Sequence, residues 1–302
     1  MTSNRAEVRD FLVTRRAKIT PEQAGLQFYG RNRRVPGLRR EEVAMLAGVS
    51  GDYYTRLEKG NLSGVSDSVL EAIASALQLD EAERQHLLNL ARAANTSPAR
   101  AIQRRTPQQI RPATQLILDG MTDTPAFVRN GRLDVLAINT LGEALYSPAF
   151  ASPARPVNLA RFRFFDPAAR EFYPDFADTA HTTVALLRTE AGRDPFNKSL
   201  TDLIGELSTR SEEFRTLWAA HNVRLHRSGV KHFHHPVIGR MDLMFEAMAL
   251  EADEGLTLTA YTAEPGTSSH DALRLLASWA ATSRHESSAE SEPVRWDSGP
   301  QS

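Results

Sequence analysis

The sequence predicts two domains: an all-α N-terminal domain of five helices, then an α+β domain built on an antiparallel sheet of about five strands. Three observations carry the prediction. The chain has 302 residues, more than one typical core organises. Apolar residues recur at helical spacing through about residue 94, and further on short β-prone runs alternate with turn signals. The formal net charge of −1 hides an asymmetry, because residues 1–111 hold 18 Lys and Arg against 12 Asp and Glu, and the remainder holds 18 against 25. A basic half joined to an acidic half suggests that only the first meets a polyanion, since Lys and Arg neutralise phosphate.

The helices of the first half follow in order. One is expected over residues 5–18. A further start lies at Thr20-Pro21-Glu22-Gln23, where Thr20 and Gln23 can form a capping box with Pro21 in the first turn. Over residues 39–47, Val43, Ala44, Leu46 and Ala47 recur at helical spacing, and Gly48 stops the helix where a left-handed residue is easiest. Ser50 caps the next helix, residues 51–59, which buries Tyr54 and Leu57, turns Asp52, Tyr53, Arg56 and Lys59 to other faces, and ends at Gly60. Helices over 67–77 and 80–94 complete the domain, the latter opened by Asp80 and Glu83 and cored by Leu87, Leu88 and Leu90. Two short helices joined by a three-residue turn make a helix-turn-helix.

Residues 95–111 read as a linker, because "NTSPARAIQRRT" mixes Ser, Pro, Thr and Arg without apolar periodicity. In "QLILDGMTDTPAFVRNGRLDVLAINT" two β-prone runs flank Asn130-Gly131, the strongest short hairpin signal. Further strands are expected over 230–236, 241–251 and 256–263, with helices over 141–146, 172–189, 199–207, 212–220 and 273–279. A hairpin, a helical insertion and three meandering strands, with helices on one sheet face, make a PAS-like arrangement over 112–281 that can enclose a ligand. The Ser-, Glu- and Pro-rich tail, 282–302, is expected to be disordered.

Zero cysteines exclude disulfides, thiolate catalysis and Cys-based zinc sites. No apolar run reaches the roughly 18 residues of a membrane span. "MTSNRAEVRD" lacks the apolar core of a signal peptide, so the expected location is the cytoplasm, with no membrane partner.

"REEVAMLAGVSGDYYTRLEKG" resembles the Xre or phage-repressor family, with Ala44, Gly48 and the Leu57-Glu58-x-Gly60 ending where that family has them. The resemblance implies a double-stranded DNA operator as partner. It places Gly51, Asp52 and Arg56 at base-reading positions, although Gly51 lacks the side chain usual there, and Arg40 and Ser50 at phosphate positions. Arg56 offers a fork to guanine that Asp52, four residues earlier, could orient. Tyr53, Lys59 and Arg39 join this set, and Arg33 and Arg34 of "GRNRRVPGLRR" can track phosphates beside it. One such helix reads only a few base pairs, so a homodimer is expected, with the acidic domain as its interface.

The phrases "TPAFVRNGRLDVLAINTLGEALY", "NLARFRFFDPAAR", "LIGELSTRSEEFRTLWAAHNV", "FHHPVIGRMDL" and "LTAYTAEPG" resemble the MmyB-like transcription regulators. That resemblance runs from residue 5 to about 280. It implies that the PAS-like domain binds a small apolar molecule, with fatty acids the leading class, and no other cofactor. Pocket candidates are Phe127, Leu136, Ile138, Tyr146, Phe162, Phe165, Trp218, Phe233 and Phe245, all of which a plain hydrophobic core also explains. Asn139, His221 and His235 are the candidate polar anchors, though each can equally satisfy a buried backbone group.

"KHFHHP" sets His232 and His234 on one strand face, but no carboxylate follows at ligand spacing, so no metal site is expected. There is no G-x-S-x-G elbow, phosphate-cradling glycine loop or H-E-x-x-H, so no catalytic residues and no enzyme are expected. The competing readings are a DNA-targeted enzyme or metal-binding protein, an antitoxin-like protein-binding module, and a regulator whose second domain only dimerises.

Overall fold

The computed structural model describes residues 4–26, 35–95, 109–223 and 227–290, with side chains as far as residue 282. The first domain consists of α1 (Asn4–Lys18), α2 (Arg40–Leu46), α3 (Gly51–Glu58), α4 (Asp67–Ala76) and α5 (Glu81–Asn95). Their apolar stripes meet in one core that includes Phe11, Leu12, Val43, Ala44, Tyr54, Leu57, Ile73 and Leu90. Local signals act as their chemistry dictates. Thr20 and Gln23 exchange backbone-to-side-chain hydrogen bonds, yet the segment stays a turn that closes at Gly25 with φ +72°. Asp80 and Glu83 make the reciprocal pair that opens α5. Gly60 has φ +94°, and a Cβ there would lie 2.3 Å from the Arg5 carbonyl oxygen, so α1 can cross the end of α3 only over a glycine. Arg33 and Arg34, and residues 96–108 of the expected linker, lie outside the described residues.

The second domain runs α6 (Pro112–Gly120), β1 (Ala126–Arg129), β2 (Val135–Ile138), α7 (Thr140–Leu145), α8 (Ser147–Phe150), α9 (Leu159–Phe165), α10 (Ala168–Phe172) and α11 (Phe176–Arg193). It continues with α12 (Lys198–Arg210), α13 (Glu212–Ala219), β3 (Ser228–His235), β4 (Gly239–Ala249), β5 (Thr257–Thr262) and α14 (Ser268–Glu290). The five strands are antiparallel in the order β2-β1-β5-β4-β3. One sheet face carries Phe127, Phe233, Met241, Leu243, Phe245 and Tyr261 into a core with residues of α7, α9, α10 and α14. On the other face Val128 and Leu258 pack against Leu118 of α6.

Further departures from the sequence expectations lie in the second domain. "QLILDG" is helical in α6: Pro112 starts the helix, and with Leu116 and Ile117 exposed its buried stripe is too narrow to show as periodicity. The hairpin connection spans residues 130–134, not a two-residue turn. The Asn130 side chain donates to Asp134 and accepts from the backbone N–H groups of Arg132 and Asp134, and Leu133 takes the left-handed conformation at φ +66°. Helices lie on both sheet faces, since α6 covers the second. Finally, α14 continues past residue 282 to Glu290.

Candidate functional site

α2 and α3 are joined through Gly48 at φ +66°, and the Ser50 hydroxyl accepts from the Tyr53 backbone N–H at 3.1 Å. Asp52 and Arg56 are exposed on α3 and Lys59 at its C-cap, at i, i+4 and i+7 spacing, so they share one side of the helix. The Arg56 guanidinium lies over the Tyr53 ring at 4.9 Å, a cation–π contact, rather than on Asp52. Behind this surface the buried Glu58 carboxylate accepts from Arg16 at 2.7 and 3.1 Å and from Arg40 Nε at 2.7 Å, which ties α1, α2 and α3 together. Burial pushes the Glu58 carboxyl up, but the hydrogen bonds and charges of Arg16 and Arg40 outweigh it and hold it below the usual carboxylate range.

In the second domain a cavity of about 50 Å³ opens between the sheet and α9 and α11. Its wall brings together three cations, Arg129 of β1, Arg163 of α9 and Lys231 of β3, with the hydroxyls of Tyr146, Tyr173, Tyr261, Thr179, Thr182, Thr183 and Thr259. Phe127, Leu133, Leu159 and Leu186 supply its apolar part. Arg163 is 2% exposed; its Nη2 donates to the Phe176 carbonyl and the Thr179 hydroxyl, and its Cζ lies 3.7 Å from the centre of the Phe176 ring. Its Nε and Nη1 have no hydrogen-bond partner. Lys231 Nζ is 3.4 Å from the Tyr146 hydroxyl, which in turn lies 2.6 Å from that of Tyr261. Burial, with the charges of Arg163 and Arg129, pushes the Lys231 ammonium down to about 7.

A third cluster sits where the domains meet. Arg188 of α11, wholly buried, donates to the Glu7 carboxylate of α1 and to the Trp218 carbonyl, with His221 Nδ1 at 2.9 Å. Arg15 donates to the His221 carbonyl and pairs with Glu83 at 3.1 Å. His86 is wholly buried beside Glu7, 3.8 Å from its carboxylate. α11 therefore does two things, because Thr179, Thr182, Thr183 and Leu186 line the cavity and Arg188 enters the first domain.

Residues 15–87 match the helix-turn-helix domain family, and residues 110–276 match the MmyB-like transcription regulator ligand binding domain, more than half of the chain. The chain belongs to the MmyB-like transcription regulators. No curated protein matches it. In this MmyB-like regulator the helix-turn-helix match runs from inside α1 into α5, and every residue of the cavity wall falls within the ligand-binding match. Among the described residues no helix is long and apolar enough to cross a membrane.

The structure sorts the expected pocket residues of this MmyB-like regulator by position. Phe127 and Tyr146 stand in the cavity wall. Phe233, Phe245, Ile138 and Phe162 belong to the core beneath it, with Phe233 and Phe245 in ring contact with Tyr261 at 5.6 and 6.2 Å. Leu136 falls at the register irregularity of the β1–β2 pair and packs behind the sheet. Phe165 and Trp218 pack in the helical layer around Phe214. Asn139 caps α7 and uses its amide fully, accepting from Ala126 and Gly142 and donating to the carbonyls of Met121 and Thr124. His235 contacts the Ala144 carbonyl and Ser147 through Nε2 and accepts from Val237 and Ile238 at Nδ1. His221 sits at the domain boundary. His232 pairs with Asp242 at 2.6 Å, and the described residues hold no cluster of three metal-ligating side chains.

The three cavity cations were not among the sequence candidates. Two had a readable signal: Arg129 follows Phe127 by two and Lys231 precedes Phe233 by two, so strand alternation turns each inward with its aromatic neighbour. Arg163 had none, because it reaches the cavity from a short helix outside the sheet.

Proposed function

We propose that this MmyB-like regulator binds a double-stranded DNA operator as a homodimer in the cytoplasm, and that a small molecule in the cavity changes that binding. Arg56, Asp52 and Gly51 face the bases. Arg39, Arg40, Ser50, Tyr53, Lys59, Arg33 and Arg34 serve the backbone. The observation that carries the reading is the double role of α11, which walls the cavity and buries Arg188 against Glu7 of the first domain. A ligand shifts DNA affinity only if it binds two states unequally, and a helix shared by cavity and domain contact supplies such a difference.

A fatty acid, the class that the resemblance implies, meets an apolar wall in four leucine and phenylalanine side chains and a carboxylate partner in the cations. Its chain would need room beyond the present cavity.

The test selects operator sequences with the full chain and follows binding by fluorescence anisotropy, with and without compounds extracted from the purified protein. Sequence preference that Arg56→Ala removes, a two-to-one complex by light scattering, and an affinity change on adding the extract support the proposal. Equal affinity for all sequences defeats the DNA-reading part. An extract without effect leaves the second domain as a dimerisation module.

A further inference from the structure

We propose that the cavity's ligand is a compact dianion held between Arg129, Arg163 and Lys231. This rests on the cavity being the ligand site. The three side chains come from β1, α9 and β3, so no local sequence run forces them together, and no carboxylate is among the residues lining the cavity. The acids that act on the arginines lie outside the cavity wall: Glu190, paired with Arg193 at 2.8 Å, acts on Arg129, and Glu213, paired with Arg170 at 3.2 Å, acts with Asp178 on Arg163.

An unneutralised pair of arginines within a protein interior is costly, and the cost is offset only by opposite charge or water. Arg129 and Arg163 stay protonated near neutrality, the latter lowered only to about 10 by burial. None of the acids lines the cavity itself, so a single carboxylate adds one negative charge beside three cations and a doubly charged group adds two. The Nε and Nη1 nitrogens of the almost fully buried Arg163 lack partners, and an oxygen-rich anion is what they can donate to.

The rest of the wall agrees. Seven hydroxyl-bearing side chains line the cavity with the three cations, beside four wholly apolar ones, so the wall offers an anion polar partners. A space of about 50 Å³ holds a few water molecules. That suits a phosphate group or the carboxylates of a short diacid. Lys231 lines the same cavity as Arg129 and Arg163, and its ammonium is pushed down by burial first and then by the charges of these two arginines. A dianion would restore its proton, so binding slightly above neutral pH takes up protons. Among the groups facing it, Tyr146, Tyr173 and Tyr261 are all pushed up and the arginines stay charged, so Lys231 is the one that titrates there.

The experiment is isothermal titration calorimetry on the full chain just above neutral pH, in two buffers of different ionisation heat. The probes are inorganic phosphate, succinate, butyrate and decanoate. Expected is that phosphate or succinate binds at least about tenfold tighter than butyrate, with proton uptake, and that Lys231→Gln and Arg163→Met each weaken it about ten- to hundredfold. Phosphate against succinate tells a phosphoryl source from a diacid. Lys231→Gln is the second variant because Lys231 sits half-buried on a strand, so its effect on binding stands independently of any misfolding caused by loss of the buried Arg163.

Decanoate or butyrate binding as tightly as both dianions, dianion binding indifferent to Lys231→Gln, or no binding of any probe overturns the dianion. The ligand-site reading fails separately, if Lys231→Gln leaves unchanged the DNA response to an extracted compound.

Discussion

Arg188 of α11 and Glu7 of α1 form an ion pair across the domain boundary, with Arg188 wholly buried and Glu7 at 8% exposure. Burial pushes the Glu7 carboxyl up, but the contacts of His221 and His86 and the charge of Arg188 outweigh it and hold it well below its usual 4.5. His86 is pushed below its usual 6.5, chiefly by burial. The two domains thus share charges that exist in this form only while they are docked.

Glu7→Ala strands a buried guanidinium, so it should cost about 3–5 kcal/mol, and adding Arg188→Met should recover part of the loss. Urea unfolding of the three proteins measures this. Equal stability of wild type and Glu7→Ala would show the pair to be solvated.

Acid should undock the domains. Both groups have folded values below their unfolded ones, so each contributes stability that is present above the unfolded value and is lost as pH falls through the folded one. The His86 contribution therefore declines below pH 6.5 and that of Glu7 below 4.5. Stability against pH should fall through this range for wild type and more shallowly for Glu7→Gln.

Gly192→Ala tests docking without touching a charge. A Cβ on Gly192 would lie 2.6 Å from His86 Cε1 across the boundary, so α11 or α5 must shift, at about 1–3 kcal/mol. Hydrogen exchange should rise in α1 and α5 while binding of nonspecific DNA persists.

Arg56→Ala should lose about 1–3 kcal/mol of operator affinity and spare nonspecific binding. Tyr53→Ala removes the ring beneath the guanidinium and should cost less, about 0.5–1 kcal/mol. Equal loss on all sequences would turn Arg56 into a phosphate contact.

Arg40 and Glu58 separate stability from DNA contact. Glu58→Ala leaves Arg16 and Arg40 without their shared carboxylate and should destabilise the first domain by about 3–5 kcal/mol. Arg40 is half exposed, so Arg40→Ala should cost at most about 1 kcal/mol of stability yet lower the salt dependence of DNA binding by about one unit. Thermal melts and salt titrations read the two effects.

What the sequence determined by itself was whatever acts over a few residues: the spacing that buries Val43, Ala44, Tyr54 and Leu57, the cap at Ser50, the left-handed stop at Gly48, and the alternation that makes five strands. Those signals located both domains and the exposed side of α3. The tertiary structure alone decided which aromatic candidates became wall and which became core, since a strand's inward face carries Phe127 and Phe233 alike and only the helices above leave space over one of them. It alone brought Arg129, Arg163 and Lys231 together from three separate elements, and set Arg188 against Glu7 across 181 residues. Buried charges of this kind carry no periodicity and are stable only beside partners distant in the chain, so their meaning becomes visible once the fold supplies those partners.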